Sequence, residues 1–518
     1  MGLMFYQQSN FKIKIGTSMK KLTYLLISSL LFSAFIHAEV SGYIINNVQL
    51  VDGSGAEPRL ASVIITNDKI QHIAWGKSKL PNPNNYKSID GKNRVLTPGF
   101  IDLHAHGNPL THGQFANFIA MGVTSISLGQ DGFSRYIEDF EGWRGQVADS
   151  GVGVNLIPFI GHGSLRVIAG IGQNPEPKAA QLNNMLDVLD KLLPHTFGMT
   201  TGLEYNPALF AKTDELLALA KKVGEHNRVI MSHMRNEDDE QLFKSIDELV
   251  QQSEFARVHI SHLKSVYGKG AFRAQEIIKH INQYKMTADL YPYNASYTGI
   301  ALLFPKWAKT QEQVNKLNRT QKQALLEHLK NRVLSRNGPE ATLLGSGRFA
   351  GLTLKQVADK LNKPFESVLL EDIGPHGASA AYFIMDNELQ QHLIRAPWLS
   401  FSSDGSPTMF HPRGYGSFAK VIDEYVNKLG LLSLPQAINK MTGQAAEILR
   451  LNKRGLIKEG HYADLLLFDP KQVKAMASYE NPHQLSQGFE YVWVNGQLIK
   501  QGSDIKGLAG KVLSPKSN

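Results

Sequence analysis

Eight short apolar runs, near residues 99–104, 123–128, 152–158, 199–204, 228–233, 256–262, 285–291 and 399–404, alternate with stretches of helical periodicity. That alternation confines the chain to a parallel sheet with helical crossovers. Eight strand–helix units predict a closed (β/α)8 TIM barrel of the α/β class. Such a barrel carries its active site at the carboxyl ends of its strands, so reactive residues at those ends count most. About a hundred residues separate the seventh run from the eighth. They include polar helical sequence over 311–335, which predicts an inserted subdomain at about 300–398 rather than a loop.

Both flanks of this region are β-rich. Residues 43–48 and 61–65 read as strands before it, and 463–468 and 491–496 read as strands after it. The arrangement predicts a small composite β-sandwich from both chain ends, residues 39–97 and 454–518 with a tail, beside a barrel over 98–453. Two separate β-flanks would look the same in sequence. Ahead of them, Met19-Lys20-Lys21 opens an apolar run over 22–35, followed by Ile36-His37-Ala38. A basic start, a short apolar stretch and a small residue at the cut predict a signal peptide over 1–38, with 1–18 as an upstream mis-start. The run is shorter than the roughly 20 residues that span a bilayer. The expectation is therefore an exported, periplasmic protein with no stable membrane anchor after cleavage.

The chain has no cysteine, which suits an exported protein and excludes thiolate ligands and nucleophiles. Its net charge of +9 falls to +5 without residues 1–38, which hold four lysines and no acid. That mild excess, with no basic stripe interleaved with aromatics, argues against a nucleic-acid partner.

The strand ends hold the chemistry. Residues 97–107 read Thr-Pro-Gly-Phe-Ile-Asp-Leu-His-Ala-His-Gly, and His104 and His106, two apart on a strand, point to one face. With 18 histidines in 518 residues, chance alone gives about 0.6 His-x-His pairs, so the pair gains its weight from company. Asp131-Gly132 follows the second run, Glu204 the fourth, His233 ends the fifth, His259 and His262 mark the sixth, and Asp404 ends the eighth. Four histidines with carboxylates at one rim suit one or two divalent ions, zinc foremost, although ligand type alone also admits manganese, iron or cobalt. Two metals need a bridging anion, for which Asp131 or Glu204 is available; no lysine lies on the fourth strand. Strand alternation puts His259 and His262 on opposite faces, which assigns His262 to the site and His259 to the framework. Each acid also has a plain structural reading: Asp131-Gly132 as a turn, Asp404 as a loop carboxylate, Glu204 as a helix cap.

These segments, with Thr201-Gly202-Leu203-Glu204-Tyr205, Ser232-His233-Met234-Arg235-Asn236-Glu237, His259-Ile260-Ser261-His262-Leu263-Lys264, Asp289-Leu290-Tyr291-Pro292-Tyr293 and His411-Pro412-Arg413, occur in an order that resembles the amidohydrolase superfamily. Within it they look most like the D-aminoacylase branch, the N-acyl-D-amino-acid deacylases, over about residues 40–500. The resemblance implies that His104, His106 and Asp404 face one metal and that His233 and His262 hold a second. It also implies that Lys264, Tyr291 and Arg413 contact the substrate, with Tyr293 close by. One turn departs from the branch. Where it carries an Asn-Cys-Gly turn with a bridging cysteine, this chain has Gln130-Asp131-Gly132, so Asp131 would bridge with a harder oxygen and less preference for zinc.

The implied reaction cleaves the amide of an N-acyl amino acid, N-acyl-D-amino acids foremost, by metal-activated water, with Asp404 carrying the proton. Arg413 and Lys264 favour a small-molecule substrate with a free carboxylate, their plain alternative being surface charge. A cyclic amidase or isoaspartyl-type dipeptidase would use the same fold. An exported metal-binding protein without catalysis is the reading from another class.

Overall fold

The computed structural model describes residues 42–76, 80–82 and 86–515; residues 1–38, expected as a signal peptide with an upstream mis-start, lie outside the described residues. The five leading strands, β1 (Gly42–Leu50), β2 (Arg59–Thr66), β3 (Lys69–Trp75), β4 (Tyr86–Asp90) and β5 (Val95–Pro98), carry Ile, Val and Leu on a shared face, which the pleat turns to one side.

The barrel strands follow: β6 (Phe100–Asp102), β7 (Val123–Leu128), β8 (Asn155–Pro158), β9 (Ile160–Gly161), β10 (Gly198–Gly202), β11 (Val229–His233), β12 (Arg257–Ile260) and β13 (Thr287–Leu290). The insertion supplies β14 (Ala295–Gly299), β15 (Thr342–Leu344) and β16 (Ser379–Phe383), and β17 (Leu399–Phe401) returns to the barrel. The chain ends in β18 (Leu465–Phe468), β19 (Phe489–Val494), β20 (Gln497–Gln501) and β21 (Asp504–Ile505).

The two chain ends make one sheet. β5 pairs antiparallel with β18, Pro98 opposite Leu465 and Val95 opposite Phe468, which joins nine strands in the order β21-β20-β19-β18-β5-β1-β2-β3 with β4 on β1. The sheet curls over itself. Tyr43 of β1 meets Trp493 of β19 edge-on at 5.9 Å, although β5 and β18 lie between those strands in hydrogen-bonding order. Ile45, Val63, Ile65, Leu465, Leu467 and Trp493 fill the fold, each stabilising it by about 1.5–3 kcal/mol on burial.

The barrel strands pair in parallel as β6-β7-β8 and as β9-β10-β11-β12-β13-β17. Only Phe159 separates β8 from β9, so they form one interrupted strand joining the two arcs. At the other junction Asp404 N–H donates to the His104 carbonyl (2.8 Å) and His106 N–H to the Gly405 carbonyl (2.7 Å). The barrel thus closes at the segment that carries the candidate ligands. At the floor, Lys440 of helix Leu434–Met441 donates to the carbonyls of Ala396 and Leu399, each at 2.7 Å. Burial pushes its ammonium down to about 8.

The insertion occupies 295–384. Its antiparallel sheet, in the order β14-β16-β15, and helix Arg319–Leu334 enclose a separate apolar core that includes Ile300, Leu325, Leu329, Leu344 and Tyr382. Helix Asn387–Leu393, which the spacing placed inside the insertion, belongs to the barrel. Leu389 and Leu393 sit in the barrel core, and the Asp386 carboxylate accepts from both Leu389 N–H and Gly270 N–H of the neighbouring helix. Periodicity shows that a helix forms there; it does not show which body the helix packs on.

Past β21 the chain runs along β8, with Gly510 N–H on the Val152 carbonyl (2.7 Å) and Leu513 N–H on the Leu156 carbonyl (2.8 Å). Among the described residues, no helix is long and apolar enough to cross a membrane.

Candidate metal and substrate site

Backbone geometry at the strand ends aims the ligands. Asp131, His262 and Asp404 have φ of 54°, 37° and 46°. This left-handed region costs an L-residue roughly 1–3 kcal/mol, and here each such residue lies just past a strand end and lines the barrel mouth. The turn at His262 overturns the alternation argument. The strand stops at Ile260, so His259 and His262 are not related by the pleat. His259 pairs with Asp289 through Nε2 at 2.7 Å and with the Thr287 hydroxyl through Nδ1 at 2.8 Å. Asp289 also accepts from His262 N–H (2.8 Å) and from the Ser402 hydroxyl (2.6 Å), which supports two ligand-bearing strand ends from below. Asp102 does the same for the barrel junction, accepting from His104 N–H at 3.1 Å and Ser403 N–H at 2.9 Å. Burial pushes the Asp102 carboxyl up to about 7, against the pull of the Ser403 donors.

Asp131 stands at the centre of the imidazoles. Its Oδ1 lies 3.3 Å from His104 Nε2, 3.3 Å from His262 Nε2 and 3.7 Å from His233 Nδ1, and its Oδ2 lies 3.3 Å from His106 Nε2. Asp404 Oδ1 is 3.2 Å from His106 Nε2 and 3.8 Å from His104 Nε2. Two donor sets result: His104, His106, Asp131 and Asp404, and Asp131, His233 and His262, the ligand atoms of each set lying within 4.8 Å of one another. Asp131 belongs to both. Glu204 reaches only His233, at 3.1 Å, in a third set with Glu237.

The electrostatics suit a cation. His104 is fully buried, neither ring nitrogen has a hydrogen-bond partner, and burial lowers its proton affinity against the pull of Asp131. Burial opposes charge on His106, yet Asp131 and Asp404 prevail and push it up to about 10. Burial and Lys264 oppose His262, but Asp131 and Glu237 push it up to about 9. Burial likewise disfavours the Asp404 anion, but Arg413 and then His106 hold the carboxyl well below the usual range. Asp131 is held down in the same way, by His104 first. Acids held in the ionised form around four imidazoles, one of them with both nitrogens unpartnered, fit a divalent ion with N and O ligands.

This cluster opens into a cavity of about 1030 Å³, and Lys264, Tyr291 and Arg413 line it. Lys264 Nζ lies 2.6 Å from Glu237 Oε1 and 2.9 Å from His262 Nδ1. Arg413 Nη1 lies 2.8 Å from Asp404 Oδ2, while its Nε is buried without a partner. The guanidinium sits 4.6 Å from the Tyr291 ring, whose buried hydroxyl is also unpartnered and whose proton burial holds firmly in place. Tyr293 is not part of the lining and packs edge-on against His411 at 5.7 Å. Sequence reasoning overlooked Glu237, Asp102 and Asp289 as parts of the site. Each lay inside a quoted motif, and a carboxylate two to four residues from a candidate metal-ligating or substrate-contacting residue was the available signal.

A model of the amidohydrolase family matches residues 361–499. An N-acyl-D-aspartate deacylase of Alcaligenes xylosoxydans xylosoxydans is 30% identical over 507 residues, covering 91% of this chain and 95% of its own. A solved D-aminoacylase, studied for its binuclear metal centre, is 27% identical with a TM-score of 0.77, covering 91% of this chain and 99% of its own. The structure of an N-acyl-D-glutamate deacylase from Bordetella bronchiseptica, determined with zinc and a phosphonate inhibitor, superposes with a TM-score of 0.77 at 24% identity, covering 92% and 100%. That last likeness speaks for the fold alone.

Proposed function

The chain belongs to the D-aminoacylase branch of the amidohydrolase family, hydrolases of linear amide bonds, and on that premise we propose that it deacylates N-acyl amino acids, N-acyl-D-amino acids foremost. The observation that carries this reading is Asp131, shared between two imidazole–carboxylate sets, with Asp404 and Arg413 beside it in one cavity.

His104, His106, Asp131 and Asp404 would hold one divalent ion, and Asp131, His233 and His262 a second, with zinc the ion of choice for such donors. When bound, a metal of this kind acidifies water and polarises a carbonyl. Asp404, whose carboxyl Arg413 and then His106 hold well below its usual range, would accept a proton at Oδ1 and return it to the leaving amine. Arg413 and Lys264 supply positive charge for the substrate's α-carboxylate, and Tyr291 keeps its proton to donate a hydrogen bond. His233 is held by Glu204 at Nε2, which orients its Nδ1 toward Asp131.

The deciding experiment is elemental analysis of the purified protein together with a chiral panel of N-acyl amino acids, a cyclic imide and a β-linked dipeptide. Metal-dependent release of the amino acid from the linear N-acyl compounds supports the reading. Bound metal without turnover of any amide would replace it with a non-catalytic role. Export through the segment ending at Ala38 is part of the same proposal, supported by its composition. A mature periplasmic protein that begins at residue 39 is the expected result of amino-terminal sequencing.

A further inference from the structure

Four basic side chains line the cavity; Arg135 is exposed, and Lys264 and Arg413 are already matched to acids. Lys264 lies 2.6 Å from Glu237 and Arg413 lies 2.8 Å from Asp404. Arg336 is different. It follows helix Arg319–Leu334 of the insertion, is 3% exposed, and lines the cavity. Among the described residues its guanidinium makes no hydrogen bond, and its Nε is buried without a partner. Its one ion pair is loose, 3.6 Å to Asp238 Oδ1, and Asp238 is already engaged at 3.0 Å by Arg332. One carboxylate therefore serves two guanidinium groups, and the trio keeps a net positive charge at the cavity wall. Buried charge without a close partner is costly, and it persists where a ligand completes it.

A second orphaned group accompanies Arg336. The Ser296 hydroxyl is buried, lines the cavity and has no partner. Ser296 lies opposite Tyr382 in the β14–β16 register, hence on the same face of that sheet, and the Arg336 guanidinium lies 5.2 Å from the Tyr382 ring. The insertion thus presents a guanidinium fork and a hydroxyl around one aromatic ring, both aimed into the substrate space. A planar, doubly accepting anion is the chemistry that satisfies them.

We propose that Arg336, with Ser296, is a second carboxylate-binding position and that it selects N-acyl amino acids whose own side chain is acidic. The inference rests on the N-acyl-amino-acid reading of the site. It assigns the α-carboxylate to Lys264, Tyr291 and Arg413, and the side-chain carboxylate to the insertion. The insertion therefore sets the specificity, while the barrel carries the chemistry.

The test compares N-acetyl-D-aspartate and N-acetyl-D-glutamate with the corresponding asparagine and glutamine compounds on the zinc-loaded full chain. At least one acid should exceed its amide by about 10–100-fold in kcat/KM, the scale of one charge-assisted pair. Arg336→Met should bring that ratio to within about twofold of unity, chiefly through KM, and Arg336→Lys should restore part of it. Acid and amide turned over equally by the wild type, or a ratio unchanged in Arg336→Met, would overturn the assignment. Calorimetric titration of N-acetyl-D-aspartate against N-acetyl-D-asparagine separates the two readings. If nothing on the panel is hydrolysed but the diacid binds preferentially and only with Arg336 present, the position stands and the hydrolase reading falls. If wild type binds both equally, the position falls whatever the turnover.

Discussion

Replacing Asp289 tests whether the metal cluster is held up from beneath. The carboxylate is fully buried and receives three donors, from His259, from the His262 backbone and from Ser402. Asp289→Ala strands all three in a dry interior. At about 1–3 kcal/mol for each buried unsatisfied donor, the loss comes to roughly 5 kcal/mol, comparable with the whole stability of many domains. Asp289→Asn is a gentler change. Its amide oxygen can take the place of Oδ1 and keep the His262 and Ser402 donors, while its NH2 faces His259 Nε2. His259 then accepts there and donates from Nδ1 to Thr287, 2.8 Å away. Only the charge is lost, at about 1–2 kcal/mol. Denaturant unfolding followed by circular dichroism measures both variants. Because the His262 turn rests on Asp289, competition with a chelator should show metal affinity in Asp289→Ala about 10–100-fold weaker. An alanine variant within about 1 kcal/mol of wild type, or an asparagine variant as damaged as the alanine, would refute the reasoning.

Three further outcomes follow from the same geometry. Asp404→Asn should lower kcat by roughly 10²–10⁴ while elemental analysis still finds metal on the remaining ligands, as expected for loss of the proton carrier. Arg413→Ala should raise KM for an N-acyl amino acid by about 10–100-fold, and should do so far less for the matching uncharged amide, in parallel steady-state assays. Lys440 gives a pH signature: its folded value of about 8 lies below its ordinary 10.5, so both states are protonated below pH 8 and the cost of burying the charge is present in full there. Between about pH 8 and 10.5 the unfolded chain binds more protons, so wild type should gain about 3 kcal/mol relative to Lys440→Met over that window in unfolding titrations.

Local patterns showed most of the barrel. Segments such as 123–128 and 229–233 pair apolar residues with small polar ones instead of alternating with charges, because both faces of a parallel strand are buried. Candidate ligands were visible because a barrel collects reactive groups at strand ends, which converts spacing into position. What stayed hidden is what depends on packing between distant segments. Nothing in residues 387–393 distinguishes a helix of the insertion from one docked on Gly270–Ile281. Period-two reasoning failed at His262 because the strand had already ended and the chain had turned into left-handed backbone. Arg336 carried no signal at all. Its meaning comes from the loose ion pair it makes with a shared Asp238 and from its place in the cavity wall beside Tyr382.

The pairing of β5 with β18 spans some 370 positions of chain, and the tail fastens to β8 across a comparable distance. Neither can form while the polypeptide is still emerging, so the amino-terminal hairpins and the third barrel strand wait with bare edges until the last segment arrives. Completion is thereby postponed to the end of synthesis. Long-range pairing of this kind forms slowly and leaves strand edges exposed in the interval.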